Sequence, residues 1–222
     1  MTKENIDRFL PALKHRLTLT LPGQNGHAKM EPSTRKEFLM NLKHATGPRK
    51  SAVMILLFTQ DNELHTFFIE RNVYDGVHSG QISFPGGGFE KTDKDLFHTA
   101  LRETQEEIGI QAADIHILGN LTELYIPPSN FDVFPVVGFL DKEPQLDIDT
   151  SEVQKVFKIS LSELRNRNNI GKGIITIKGG REVEVPCFWL DNHMVWGATS
   201  MILSEFIEVV DEIFDSVTAS DL

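Results

Sequence analysis

Pro85 followed by Gly86, Gly87 and Gly88 stops a short apolar run at residues 82–84, and this interruption restricts the fold more than any other stretch. Proline cannot donate to a strand ladder, and glycine weakens the interior of helices and strands. The segment therefore reads as a tight connection where another backbone or a ligand comes close. A helix is expected after it, over residues 93–108. Thr92 or Asp93 can cap its first turn, Phe97, Leu101, Thr104 and Ile108 recur at helical spacing, and Gly109 can end it. Before the turn, residues 52–58 are almost continuously apolar, as in a strand covered on both faces, and residues 64–70 return after a turn at Asp61-Asn62.

Apolar runs at 115–121, 133–140 and 153–159 predict further strands, separated by loops at Pro127-Pro128 and Pro144. A hairpin is expected to join 174–178 to 182–185 through Gly179-Gly180. The closing helix, 199–217, carries an apolar stripe of Ile202, Phe206, Val209, Val210, Ile213 and Val217 that must pack on something. Strands with helices on their faces imply an α/β sandwich. The chain opens with an amphipathic helix marked by Ile6, Phe9, Leu10, Leu13 and Leu17, which ends before a flexible stretch at 22–26. The expected division is a helix and linker over 1–48, packed on a single domain over 49–222; 222 residues suffice for one core.

The 32 acidic and 22 basic side chains leave a net charge of −10, which disfavours nucleic-acid binding. A small polyanion can bind only where metal ions or a local basic patch reverse the field. The lone Cys187 fits a reducing compartment. No run approaches the ~20 apolar residues that span a bilayer, nor does the start contain a signal-peptide core, so a cytoplasmic location and no membrane partner are expected. The outer face of the opening helix or an edge strand is available to a homodimer.

Chemistry concentrates in Arg102-Glu103-Thr104-Gln105-Glu106-Glu107-Ile108-Gly109. Glu103, Glu106 and Glu107 stand three and four residues apart and share one helix face, where like charges destabilise each other. A solvated face is the plain explanation, but the glycine turn just upstream supplies a second feature, because it lets a phosphate approach the backbone. Together the two segments resemble the signature of the Nudix hydrolases, in which a Gly-Gly loop leads into a helix carrying Arg102, Glu103, Glu106, Glu107 and Gly109.

The resemblance implies a Nudix-type α/β/α sandwich with a mixed β-sheet, and hydrolysis of a small-molecule diphosphate with Mg²⁺ or Mn²⁺. It implies Glu103 and Glu107 as metal ligands, Glu106 as a further ligand or water-orienting group, and Arg102 as the cation that holds these carboxylates. One position departs from the pattern. Counting back from Arg102 puts Lys94 where the signature has glutamate, whereas counting forward from Gly87 lands on Asp93; a one-residue insertion makes Asp93 the stand-in, with Glu90 beside it.

The longer block of Arg71 and then Val77-His78-Ser79-Gly80-Gln81-Ile82-Ser83-Phe84-Pro85-Gly86-Gly87 resembles the motif of coenzyme A pyrophosphatases, as does Val195-Trp196-Gly197-Ala198-Thr199. This implies that Arg71 and His78 face substrate phosphates beside Gly86 and Gly87; an arginine of that motif is replaced here by Gly76. Trp196 is expected in the core. Glu106, Glu123 and Glu152 are the candidate bases, with Glu152 favoured by its Ser-Glu-Val context. Alternatives are a hydrolase of ADP-ribose or another nucleoside diphosphate derivative, an isomerase using Cys187, and a non-catalytic nucleotide-binding module.

Overall fold

The computed structural model describes residues 3–40, 47–72, 80–177 and 179–220. Helix α1 (Lys3–Arg16) leads to two short helices, α2 (Gln24–Ala28) and α3 (Thr34–Met40). Strand β1 (Arg49–Gln60) turns through Asp61 and Asn62, both at positive φ, into β2 (Glu63–Arg71). Then come β3 (Ile82–Ser83), β4 (Gly86–Gly88), helix α4 (Leu96–Ile108), β5 (His116–Asn120), β6 (Leu124–Ile126), β7 (Phe131–Leu140) and β8 (Val153–Ser160). Helix α5 (Leu161–Arg165), the strands β9 (Ile170–Ile177), β10 (Arg181–Leu190) and β11 (His193–Trp196), and the long α6 (Gly197–Ser220) complete the chain.

Among the described residues, eight strands form one mixed sheet. Strand β1 runs parallel to β7, from Arg49 opposite Phe131 to Phe58 opposite Leu140, and antiparallel to β2. Strands β3 and β8 extend the sheet beyond β2, while β5 and β6 extend it beyond β7. A separate antiparallel sheet is made of β9, β10 and β11.

The apolar run in β1 alternates between two cores, as the period-two geometry of a strand requires. Met54, Leu56 and Phe58 pack with Ala100 and Ile108 of α4 on one face. Ile55 and Leu57 pack on the other with Phe9 and Leu13 of α1 and Phe206 and Val210 of α6. Helices therefore cover both faces, the expected α/β/α sandwich, and each such buried side chain contributes ~1.5–3 kcal/mol. Among the described residues no helix is long and apolar enough to cross a membrane.

Two expectations change. The stretch at 22–26, expected to be flexible, holds the start of α2, with Gly26 and His27 buried. The three glycines do not merely stop a strand: as β4 they pair with β1, Gly86 opposite Val53 and Gly88 opposite Ser51.

Candidate active site

Helix α4 brings three carboxylates to the glycine turn, each in a different setting. Glu107 is buried. Its Oε2 accepts a hydrogen bond from the Gly86 N–H at 2.7 Å, and its Oε1 accepts one from Arg71 Nη1 at 3.3 Å. Arg71 also donates to the Gly86 carbonyl at 3.2 Å. Burial pushes the Glu107 carboxyl up to about 8; Arg71 and the Gly86 N–H oppose the shift, whereas the charges of Glu103 and Glu152 add to it. Burial also raises Glu103, against the pull of Arg102. Glu106 is more than half exposed and accepts from Arg102 Nη1 at 2.8 Å.

The glycines permit this proximity. A Cβ on Gly87 would lie 2.5 Å from the carboxylate atoms of Glu103, and one on Gly86 would collide with the Ala52 carbonyl oxygen. A side chain at either position would separate the loop from the helix or from β1.

Arg102 is fully engaged within the protein. Its Nε and Nη2 donate in parallel to Asp93 Oδ1 and Oδ2, both at 3.0 Å, and its other bonds go to Glu103, Glu106 and the Gly88 carbonyl. Asp93 also accepts from Thr99 Oγ1 and the Glu90 N–H, both at 2.9 Å, and faces His98 Nδ1 at 3.0 Å. The adjacent guanidinium holds the Asp93 carboxyl far below the usual carboxylate range. These bonds also move the start of the helix. Capping was expected at Thr92 or Asp93, but Asp95 caps α4, accepting from the His98 N–H at 2.8 Å, because Asp93 is committed to Arg102. Lys94, the alternative match to the acidic position, is exposed.

Glu152, just before β8, lies close enough to raise both Glu103 and Glu107, so four acids gather where the spacing alone indicated three. Its backbone carbonyl accepts from the Asn72 N–H at 2.9 Å. Glu123 is instead paired with Lys50 at 3.2 Å. Cys187 is fully buried in β10, where burial pushes its thiol up, away from reactivity. His78 and Gly76 lie outside the described residues. Trp196, expected in the core, is only partly buried and lines the site.

The site opens into a cleft of about 860 Å³. Arg71, Ser83 and β4 form one wall; the 127–129 turn and Phe131, strand β9, the first turn of α6, and Thr34, Arg35 and Phe38 of α3 form the others. The contribution of α3 was not foreseen, and the Pro127-Pro128 pair was the one sequence mark of the turn opposite.

Among the described residues no three acidic, histidine or cysteine side chains already converge tightly enough to grip a metal ion. The chemistry of the donor set nevertheless fits a hard divalent cation. The donors are carboxylate oxygens, and Glu103, Glu106, Glu107 and Glu152 include buried members that raise one another, a surplus of negative charge that a cation relieves.

Comparison with known proteins identifies the family. A model of the NUDIX domain matches residues 48–176. The chain is 38% identical over 130 residues to the mitochondrial coenzyme A diphosphatase NUDT8 of Homo sapiens, covering 57% of this chain and 54% of that one. It is 35% identical over 166 residues to the uncharacterized Nudix hydrolase NudL of Pectobacterium atrosepticum, covering 74% of this chain and 84% of the relative. Among solved structures, the Nudix hydrolase RenU from M. smegmatis superposes with a TM-score of 0.52 over 85% of this chain and 94% of its own, at 9% identity, and so shares the fold. With more than half of its length matched by the domain model, the chain belongs to the Nudix family of pyrophosphohydrolases.

Proposed function

We propose that this chain uses Mg²⁺ or Mn²⁺ to hydrolyse the diphosphate linkage of coenzyme A or its derivatives, giving 4'-phosphopantetheine and adenosine 3',5'-bisphosphate. The observation that carries this reading is the joint anchoring of Glu107 by Arg71 and the Gly86 N–H beside a large cleft. It ties the acidic helix to the same Arg71-to-Gly87 block that resembles the coenzyme A pyrophosphatase motif. The human relative's name, coenzyme A diphosphatase, supports the same substrate, although the alignment covers about half of that protein.

Glu103 and Glu107 would hold the metal, with Glu106 as a further ligand. When bound, it acidifies water and neutralises charge on phosphoryl oxygens. The chain's own residues do the rest. Gly87 keeps the loop backbone close to Glu103, Arg71 holds Glu107 while facing the cleft, and Arg102 acts through the carboxylates as a positioning residue. Glu152 would accept a proton from the attacking water; its exposure and the influence of its charge on Glu103 and Glu107 support that role. Attack at one phosphorus breaks its bond to the bridging oxygen, which leaves with the other phosphate.

The test is chromatography of products from coenzyme A and ADP-ribose, incubated separately with Mg²⁺ or Mn²⁺, alongside Glu107→Gln. Release of adenosine 3',5'-bisphosphate, faster than ADP-ribose cleavage and lost in the variant, is the expected result. Preferential cleavage of ADP-ribose removes the coenzyme A assignment. Tight nucleotide binding without turnover points to a binding module.

A further inference from the structure

Of the nine arginines in the chain, seven hydrogen-bond a carboxylate among the described residues: Arg8, Arg16, Arg71, Arg102, Arg165, Arg167 and Arg181. The other two are Arg35, in the wall of the cleft, and Arg49, which is not part of that wall but contacts two residues that are. Arg35 lines the cleft with a side chain only 13% exposed, and its nearest carboxylate, Glu31, is 3.8 Å away, beyond hydrogen-bonding reach. Arg49 stacks over the Phe131 ring at 4.0 Å and donates to the Ser129 carbonyl at 3.4 Å. Ser129 lines the same cleft, and its buried Oγ has no hydrogen-bond partner among the described residues. The Tyr125 hydroxyl donates to Asn130 Oδ1, on the residue after Ser129, at 3.1 Å.

A guanidinium offers five donors, and Glu31 at 3.8 Å balances part of the Arg35 charge without accepting any of them; enclosing such donors unbonded is costly, as is an unsatisfied buried hydroxyl. In a chain of net charge −10 this arrangement calls for an anionic ligand. We propose that Arg35 and Ser129, which line the same cleft, form a second anion subsite that binds a phosphomonoester carried by the substrate away from the cleaved diphosphate, with Arg49 behind Ser129 adding positive charge. Strands β4, β1, β7 and β6 lie side by side, so three strand spacings, about 14 Å, separate the glycine loop from the strand leading to Ser129. A nucleotide spans that distance. The subsite rests on the coenzyme A reading, in which the 3'-phosphate of the adenosine is the group held.

The experiment compares kcat/KM for coenzyme A and dephospho-coenzyme A, which lacks the 3'-phosphate, in the wild type, Arg35→Gln, Arg35→Lys and Ser129→Ala. The wild type is expected to prefer coenzyme A. Arg35→Gln should cut that preference by about tenfold or more, chiefly through KM; Arg35→Lys should restore part of it, and Ser129→Ala should reduce it less. A loss of folding alone would lower both substrates together. Equal use of the two by the wild type, or a preference that survives Arg35→Gln, overturns the subsite while leaving the coenzyme A reading intact. If neither substrate is cleaved, the coenzyme A reading fails, and calorimetry decides the subsite separately. Tighter binding of adenosine 3',5'-bisphosphate than of AMP, dependent on Arg35, upholds it; equal binding removes it.

Discussion

Arg102 reaches back nine positions along the chain to grip both carboxylate oxygens of Asp93, at 3.0 Å each. The fork geometry of the guanidinium suits a carboxylate in this way, and both groups are sheltered from water. Asp93→Asn removes the charge and places an amide against one arm of the fork, so a loss of ~2–4 kcal/mol is expected at neutral pH. Because the folded Asp93 is held below its ordinary value, its contribution is present above about pH 4 and is lost as pH falls. Denaturant titrations of wild type and Asp93→Asn should therefore differ most near neutrality and converge in acid. Lys94→Ala, one residue along but exposed, should stay within ~0.5 kcal/mol of wild type; a larger effect there than at Asp93 would reverse the placement of the insertion.

Gly86 and Gly87 are adjacent but should fail differently. At Gly87 an added methyl meets the mobile end of Glu103, which can swing away, so Gly87→Ala should cost activity of about tenfold or more while thermal stability changes little. At Gly86 the methyl meets the backbone of Ala52 and Val53, so Gly86→Ala should lower the melting temperature as well. Similar melting temperatures for the two variants would show that the glycine turn is not pinned to β1.

Much of this site was legible because helical spacing alone places Glu103 and Glu107 together. Asp93 was reachable only by counting from both ends of the signature, since its partner Arg102 belongs to another segment. Arg35 and Ser129 left no such trace: α3 buries no residue, so it has no apolar stripe to announce where it docks. In the fold, the Asp61-Asn62 turn was read, but the same pair at Asp191-Asn192, again with both residues at positive φ, was missed because β11 beyond it is only four residues long. Strand β4 has no side chains and hence no period to read. The burial of Gly26 and His27 depends on α6, far along the chain.

The raised carboxyl of Glu107 gives metal binding a pH signature. Between the unfolded carboxylate range and about pH 8 the folded protein holds more protons at this group than the unfolded chain does. Its contribution is thus fully present below about pH 4.5 and is lost as pH rises through about 8, so metal-free protein loses stability across that window. A divalent cation favours the ionised form, and the rise in melting temperature on adding Mg²⁺ should grow from about pH 5.5 to about pH 8. Glu107→Gln should abolish most of both trends. Scanning fluorimetry across this range decides the matter, and a Mg²⁺ shift that is flat with pH would argue that Glu107 is not a ligand.

Glu205, fully buried in α6, fastens the N-terminal segment to the domain. It accepts from the Gly23 N–H at 2.9 Å, the Thr122 N–H at 3.2 Å and Thr122 Oγ1 at 2.6 Å, and faces His27 Nε2 at 3.0 Å. Burial alone would raise its carboxyl, but His27, Thr122 and Gly23 outweigh that and hold it below its ordinary value. Glu205→Gln turns an acceptor of both oxygens into a side chain that presents N–H groups to donors, so a loss of ~3–5 kcal/mol is expected. Limited proteolysis should then cut within residues 1–48 well before the domain itself. Because Thr34 and Arg35 follow this anchor and line the cleft, KM for the diphosphate substrate should rise more than kcat falls. Unchanged protease resistance and KM would mean that the apolar contacts of α1 with the core hold the segment without Glu205.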